Sequence, residues 1–177
     1  MLITWFILCI EVIILSKYHE TLSSNDLFLE LEAFSEGRST HAWRCFGSHP
    51  ARAADGTEGY LFRVWAPNAP RITLIGDFNG WDLQATPMEK VEGGIWEAFV
   101  PGVKRYDAYQ YAVHTEDGSY IGKADPFAFH AETRPNVSSK IYDLNTGYQW
   151  GDGDWMAYRA GHRPYTNPMN IYECHLG

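Results

Sequence analysis

The 177-residue sequence is well supplied with side chains capable of chemistry, yet few of them stand in patterns that chemistry uses. Its seven histidines, at positions 19, 41, 49, 114, 130, 162 and 175, show no metal-ligand spacing, and no HExxH pair is present. The sequence has neither a serine nucleophile elbow nor a phosphate-cradling glycine loop. Carboxylate-pair hydrolysis needs two acids facing each other across a cleft. Asp77 and Asp82 instead flank a loop and Asp125 precedes Pro126, so all three read as turn residues whose side chains bond nearby backbone. Cys9, Cys45 and Cys174 are odd in number and far apart, which argues against a disulfide framework or zinc site and for a reducing compartment. These residues imply no metal, no cofactor and no self-contained catalysis.

What stands out is aromatic: 15% of residues, seven of them Trp. The stretch "WAPNAPRITLIGDFNGWD", Trp65 to Asp82, carries a short apolar strand, a Gly-Asp turn and then Trp81 straight after Asn79-Gly80. Sugar rings present apolar C–H faces that pack on flat aromatics, and their hydroxyls seek Asn, Asp, Lys or backbone groups. Trp81 beside Asn79 fits that recipe. It fits equally a ring packed over the edge of the domain or against a neighbouring one, and the residues alone leave both readings open. Tyr120, just after a tight turn, is open in the same way. Trp96 and Tyr111 lie mid-strand on apolar faces and read as core, and Trp65 reads as a packing or domain contact. The net charge of −8 and a pI near 5.3, with no Lys/Arg cluster, exclude a nucleic-acid surface and leave a neutral ligand unopposed.

The elements that must position these residues are short strands. From Gly59 onward, "YLFRVW", "RITLIG", "GIWEAFV", "DAYQYAVH", "SYIGKAD" and "SSKIYDL" follow one another with turn signals between them. Tyr60, Phe62 and Val64 share one face, as do Trp96, Ala98 and Val100, and Tyr109, Tyr111 and Val113. "EDG" at 116–118 predicts a hairpin turn. The pattern predicts an all-β, immunoglobulin-like antiparallel sandwich over 56–145. Before it, "SSNDLFLELEAF" predicts a short helix capped by Ser24 or Asn25, and "HAWRCFGSHPARAADGTEG" reads as connector, together filling 21–55. Residues 1–20 open with the apolar run "MLITWFILCIEVIIL", shorter than the roughly 20 residues a membrane span needs. It lacks a basic leader, so a membrane location is not expected. Residues 146–177 loosen, then end in "IYECHL", a fresh apolar strand with no partner after it.

Taken together, "FRVWAPNAPRITLIGDFNGWD", "GIWEAFVPGV", "YQYAV" and "KADPFAFHAETRPNVSSKIYDL" resemble carbohydrate-binding module family 48, as it occurs in the 1,4-α-glucan branching enzymes. "MNIYECHLG" resembles the first strand of the catalytic (β/α)8 barrel of glycoside hydrolase family 13, and "AWRCFGSHP" the connector ahead of the module. The resemblance implies the N-terminal part of a retaining, cytoplasmic enzyme of glycogen biosynthesis. Such an enzyme cleaves α-1,4 bonds and re-attaches the freed chain through α-1,6 bonds. The implied partners are α-1,4-glucan or glycogen and the catalytic barrel of the same chain. The catalytic carboxylates are expected beyond Gly177, leaving the fragment inactive. Trp81, with Asn79 and Tyr120, is implied in glucan binding. Ala112 stands where related modules carry a hydroxyl-binding Lys, and Ser138 or Ser139 near their binding Asn. A stand-alone glycogen-binding or regulatory module, and the module of a debranching enzyme, are the alternatives.

Overall fold

The structure is a computed structural model that describes residues 18–20, 22–144, 147–163, 165 and 168–175. The chain divides into two compact units, one through residue 144 and one from residue 145.

The first unit is a sandwich of two antiparallel sheets. Its elements, in order, are β1 (Tyr18–Glu20), α1 (Ser24–Ser35), β2 (Gly47–Ala53), β3 (Glu58–Trp65), β4 (Arg71–Gly76), β5 (Glu89–Lys90), β6 (Ile95–Pro101), β7 (Ala108–His114), β8 (Tyr120–Lys123), β9 (His130–Ala131) and β10 (Ser139–Lys140). One sheet runs β1-β2-β3-β6-β5 and the other β4-β7-β10-β9, with β8 also paired to β7. The predicted alternation holds. Phe62, Val64, Trp96, Ala98 and Val100 from the first sheet meet Ile72, Leu74, Tyr109 and Tyr111 from the second in one buried core, with Ile141 and Met88. Each large side chain so buried contributes about 1.5–3 kcal/mol relative to its exposed state. Val113, expected beside Tyr111, is only half-buried.

A second, smaller core lies on the opposite face of the first sheet. There α1 sets Leu27 against Cys45, Phe46 and Ile95. The helix begins one residue before the predicted caps: Ser23 is the N-cap, its Oγ accepting from the Asp26 amide at 3.2 Å. Arg63 is buried on the sheet beneath and pairs with Glu97 directly across β6.

Two sequence expectations change here. The connector contains a strand: β2 pairs with β3 from Gly47↔Arg63 to Arg52↔Glu58 around a turn at Gly56, so the sandwich begins well before residue 56. Pro50 disguised it. Proline cannot serve a central ladder, and among the described residues β1 pairs with β2 only at Ala51–Ala53, short of Pro50. In the 115–119 turn only Gly118 takes positive φ, at +84°, while Asp117 accepts from Thr115 Oγ1 and the Ser119 amide.

The apolar run Met1–Leu15 lies outside the described residues, and among those that are described no helix is long and apolar enough to cross a membrane. The second unit holds α2 (Gly153–Gly161), an exposed helix in what the sequence showed as loose linker. Ile171–Cys174, expected as a strand, has no regular structure, and Ile171 and Tyr172 are largely exposed. Strand backbone needs a neighbouring ladder to bond, and the described residues of this unit contain no strand to supply one.

Candidate functional site

The loop after β4 places Trp81. Gly76 ends the strand at a point where a Cβ would sit 2.5 Å from the Ala108 carbonyl oxygen and 2.7 Å from the Phe78 ring, so no larger residue fits without displacement. A short 3₁₀ turn over Asp77–Asn79 follows, turning Phe78 inward against Phe62. Gly80 and Trp81 then both adopt left-handed backbone, with φ of 62° and 63°. Glycine does this freely. For Trp81 the same conformation costs about 1–2 kcal/mol. The loop holds it there: the Trp81 amide donates to the Gly76 carbonyl at 3.0 Å, and its indole Nε1 donates to Asp77 Oδ1 at 3.0 Å.

Asp77 does more than turn the chain. Its other oxygen, Oδ2, accepts from the Ala108 amide at 2.8 Å, tying the loop to the first residue of β7. Asp82 behaves as predicted, accepting from the Gln84 amide. Asn79 is committed to the protein: Oδ1 accepts from the Gly76 amide, and Nδ2 donates to the Leu74 carbonyl and to Thr86 Oγ1. With those three bonds made, Asn79 acts as the loop's internal brace. The ring of Trp81 is 38% exposed, its one donor already satisfied by Asp77, so what it offers solvent is a flat apolar face.

Tyr120 opens β8 on the same sheet, 47% exposed, opposite His114. It does not lie beside Trp81. Gly76 pairs with Tyr109 at one end of β7 and Tyr120 with His114 at the other, five residues and about 17 Å apart along the strand. Between them, the face turned away from the core is built from Thr73, Gln110, Ala112 and Gly122. Ala112 lies opposite Thr73 on one side and Gly122 on the other, placing the smallest side chains at the centre. A Cβ on Gly122 would meet Gln110 Oε1 at 2.4 Å, so the glutamine amide lies over that glycine, where its Nε2 donates to Ser138 Oγ. Ser139 is buried and donates nothing outward, its Oγ accepting from the Asp125 amide.

His114 closes this face at the Tyr120 end. Arg71 Nη2 lies 2.8 Å from Nδ1, and since a guanidinium can only donate, Nδ1 is the acceptor. Nε2 therefore carries the proton, donating to Thr73 Oγ1 at 3.0 Å. Burial, then the Arg71 charge, hold the His114 pKa below the usual 6.5, keeping the ring neutral.

Residues 45–128 match the family carbohydrate-binding module 48, the isoamylase N-terminal domain. That segment of the chain belongs to this family. It contains Trp81, Asn79, Tyr120 and every strand from β2 to β8. Over a longer span the chain is similar to 1,4-alpha-glucan branching enzyme GlgB of Nitratidesulfovibrio vulgaris (strain DP4), 48% identical over 159 residues. The alignment takes in 87% of this chain and 24% of that enzyme. It is also similar to the GlgB of Mycobacterium ulcerans (strain Agy99), 44% identical over 165 residues, 91% of this chain and 22% of that one. The chain thus spans about a quarter of the curated relatives it matches. Among solved structures, a putative alpha amylase from Salmonella typhimurium aligns with a TM-score of 0.46 at 23% identity, covering 62% of this chain and 16% of that one.

Inside the carbohydrate-binding module, a polar node missed by the sequence reading supports β7 from within. Asp125 Oδ2 accepts from the hydroxyls of Tyr109 at 2.6 Å and Tyr111 at 3.1 Å, while Oδ1 accepts from the Phe127 amide at 2.8 Å. The last bond is the predicted turn role; the other two cross the core. Burial raises the Asp125 pKa and the three bonds partly offset it. Burial, with the Asp125 charge, pushes both tyrosine hydroxyls well up. The signal was available: Tyr109 and Tyr111 share an inward face, and two buried hydroxyls need an acceptor. No group of three or more His, Cys, Asp or Glu that could hold a metal ion occurs among the described residues.

Proposed function

We propose that this chain is the N-terminal part of a 1,4-α-glucan branching enzyme, an enzyme that moves α-1,4-linked segments onto α-1,6 branch points during glycogen synthesis in the cytoplasm. Its module's task is to bind or position α-glucan. One observation carries the binding role: within the segment of the family, the loop holds Trp81 in a costly left-handed conformation with its indole donor tied to Asp77 and its flat face left to solvent. Strained backbone at an exposed aromatic points to a use outside the fold's own stability.

The base of the Trp81 loop at Gly76 lies about 17 Å along β7 from Tyr120, a spacing that suits an extended chain of several glucose units rather than a single sugar. Between the two rings Gly122 is exposed with the Gln110 amide over it, while Ala112 is fully buried and both His114 ring nitrogens are engaged, so the two rings and the Gln110 carbonyl are what this stretch presents to a chain. Asn79's contribution is to fix the loop. The catalytic acid/base and nucleophile belong to the part of the branching enzymes this chain does not span, and "IYECHL" resembles the first strand of their barrel in sequence, though it has no regular structure here. Amylose incubated with the chain alone therefore gains no α-1,6 linkages. Native electrophoresis in gels containing glycogen tests the binding. The protein is retarded, and Trp81→Ala restores most of its mobility; retardation unchanged by the substitution would remove Trp81 from the glucan surface.

A further inference from the structure

A second exposed aromatic group lies at the same end of the sheet as Trp81. Tyr106, His130 and Tyr142 contact one another in a ring of three, with centroids 5.4, 5.6 and 5.9 Å apart. The Arg105 guanidinium sits 5.0 Å from the Tyr106 ring centre and 4.4 Å from that of Tyr142. We propose that this cluster is a second α-glucan contact, continuous with the Trp81 platform, which engages chains too long to be served by Trp81 alone. The proposal rests on the glucan reading of Trp81 and extends it.

Three observations carry it. First, among the described residues the non-glycine positions with positive φ are Trp81 and Tyr106, the latter at 74°. Both are aromatic, and both are exposed, Tyr106 at 48%. Glycine would adopt either backbone without strain, so both rings are carried against the local preference of the chain. Second, the two are structurally linked. Asp77 holds the Trp81 indole with one oxygen and the Ala108 amide with the other. Ala108 lies two residues after Tyr106, which ends the turn leading into β7. Third, the Tyr106 position is fixed from below: its amide donates to the Ile141 carbonyl at 2.8 Å, and the Ile141 amide donates to the Asp107 carbonyl at 3.0 Å. The result is a patch of mutually packed rings, tilted 33°, 49° and 75° to one another. Arg105 lies over the Tyr106 and Tyr142 rings with forked N–H donors, so apolar ring surface and hydroxyl-binding donors meet in one patch, the pairing a sugar chain uses. No charge on the ligand is needed.

Calorimetric titration with maltotriose and with maltoheptaose tests the proposal. Tyr106→Gly and Trp81→Gly are the variants of choice, because each removes a ring while relieving left-handed strain. On the proposal, the short sugar engages one platform and the long one both. Tyr106→Gly is expected to weaken maltoheptaose binding about tenfold, the effect of losing one stacked aromatic, and to leave maltotriose within about twofold. Trp81→Gly weakens both. Arg105→Gln, at an exposed position, weakens maltoheptaose by about threefold without risk to folding. Maltoheptaose affinity unchanged in Tyr106→Gly, with loss in Trp81→Gly, would overturn the second contact and keep the first. Loss in Tyr106→Gly alone would keep the cluster and overturn the Trp81 platform, and no loss in either would overturn both.

Discussion

Replacing Asp77 by alanine removes two acceptors at once and separates the loop from the strand it is tied to. The Ala108 amide is at a residue only 7% exposed, so losing Oδ2 leaves a nearly buried N–H without its partner, at about 1–3 kcal/mol. The Trp81 Nε1 bond lies at the surface, where water competes, and its loss adds about 0.5–1.5 kcal/mol. The expected destabilisation is therefore about 2–4 kcal/mol, which lowers the melting temperature by on the order of 5–15 °C for a domain of this size. Urea unfolding reads it as a lower midpoint with an unchanged slope, since the surface exposed on unfolding stays the same. Binding should fall too, by about two- to tenfold for maltoheptaose measured at a temperature where the variant is folded, because the indole is no longer fixed. Asp77→Asn keeps one acceptor and should fall between. A midpoint unchanged in Asp77→Ala would show that Ala108 finds another partner and that the bridge is incidental. A lower midpoint with unaltered binding would show that the indole's orientation is irrelevant to the ligand.

Other outcomes follow from the same geometry. Asp125→Ala strips the Tyr109 and Tyr111 hydroxyls of their shared acceptor and should cost about 2–5 kcal/mol by chemical denaturation, with Asp125→Asn costing much less because it retains an acceptor oxygen. Gly76→Ala drives a Cβ into backbone and a packed ring and should cost about 1–3 kcal/mol. Gly80→Ala meets nothing within 4 Å and should cost only the left-handed penalty, about 1–2 kcal/mol. His114 titrates below 6.5 in the fold, so the unfolded chain takes up its proton first. Its contribution is thus fully present above 6.5 and is lost as pH falls below that value, giving a urea midpoint lower at about pH 5.5 than at about pH 7.5, with a shallower fall in His114→Gln.

The sandwich was legible because the faces that meet in its main core are carried by alternating apolar residues. Tyr60-Phe62-Val64 and Trp96-Ala98-Val100 announce their inward faces in sequence. What stayed hidden depends on partners far along the chain. Pro50 reads as a break unless its pairing with Tyr60 across β3 is known. The strand expected at "IYECHL" fails to form for want of a ladder, a tertiary fact no local pattern contains. The site was half legible. "GDFNGW" placed an aromatic after a turn and so pointed to Trp81, but Asn79, chosen for its amide, spends that amide inside the loop. Asp77, set aside as a turn residue, proves to orient the indole through a bond partner 31 positions away at Ala108. Tyr106 gave no signal, because its interest lies in a backbone angle and in neighbours at 130 and 142.

The most direct test of the glucan platform asks whether ligand covers the Trp81 ring. Peptide-resolved indole oxidation, run with and without maltoheptaose, reads each tryptophan separately. Trp150 and Trp155, exposed at 77% and 58% in the second unit, serve as internal references. Maltoheptaose should protect Trp81 several-fold while both references stay fully reactive, and protection should vanish with a non-glucan sugar. Equal oxidation of Trp81 with and without maltoheptaose, at concentrations that saturate binding, would place the ligand elsewhere and contradict the account.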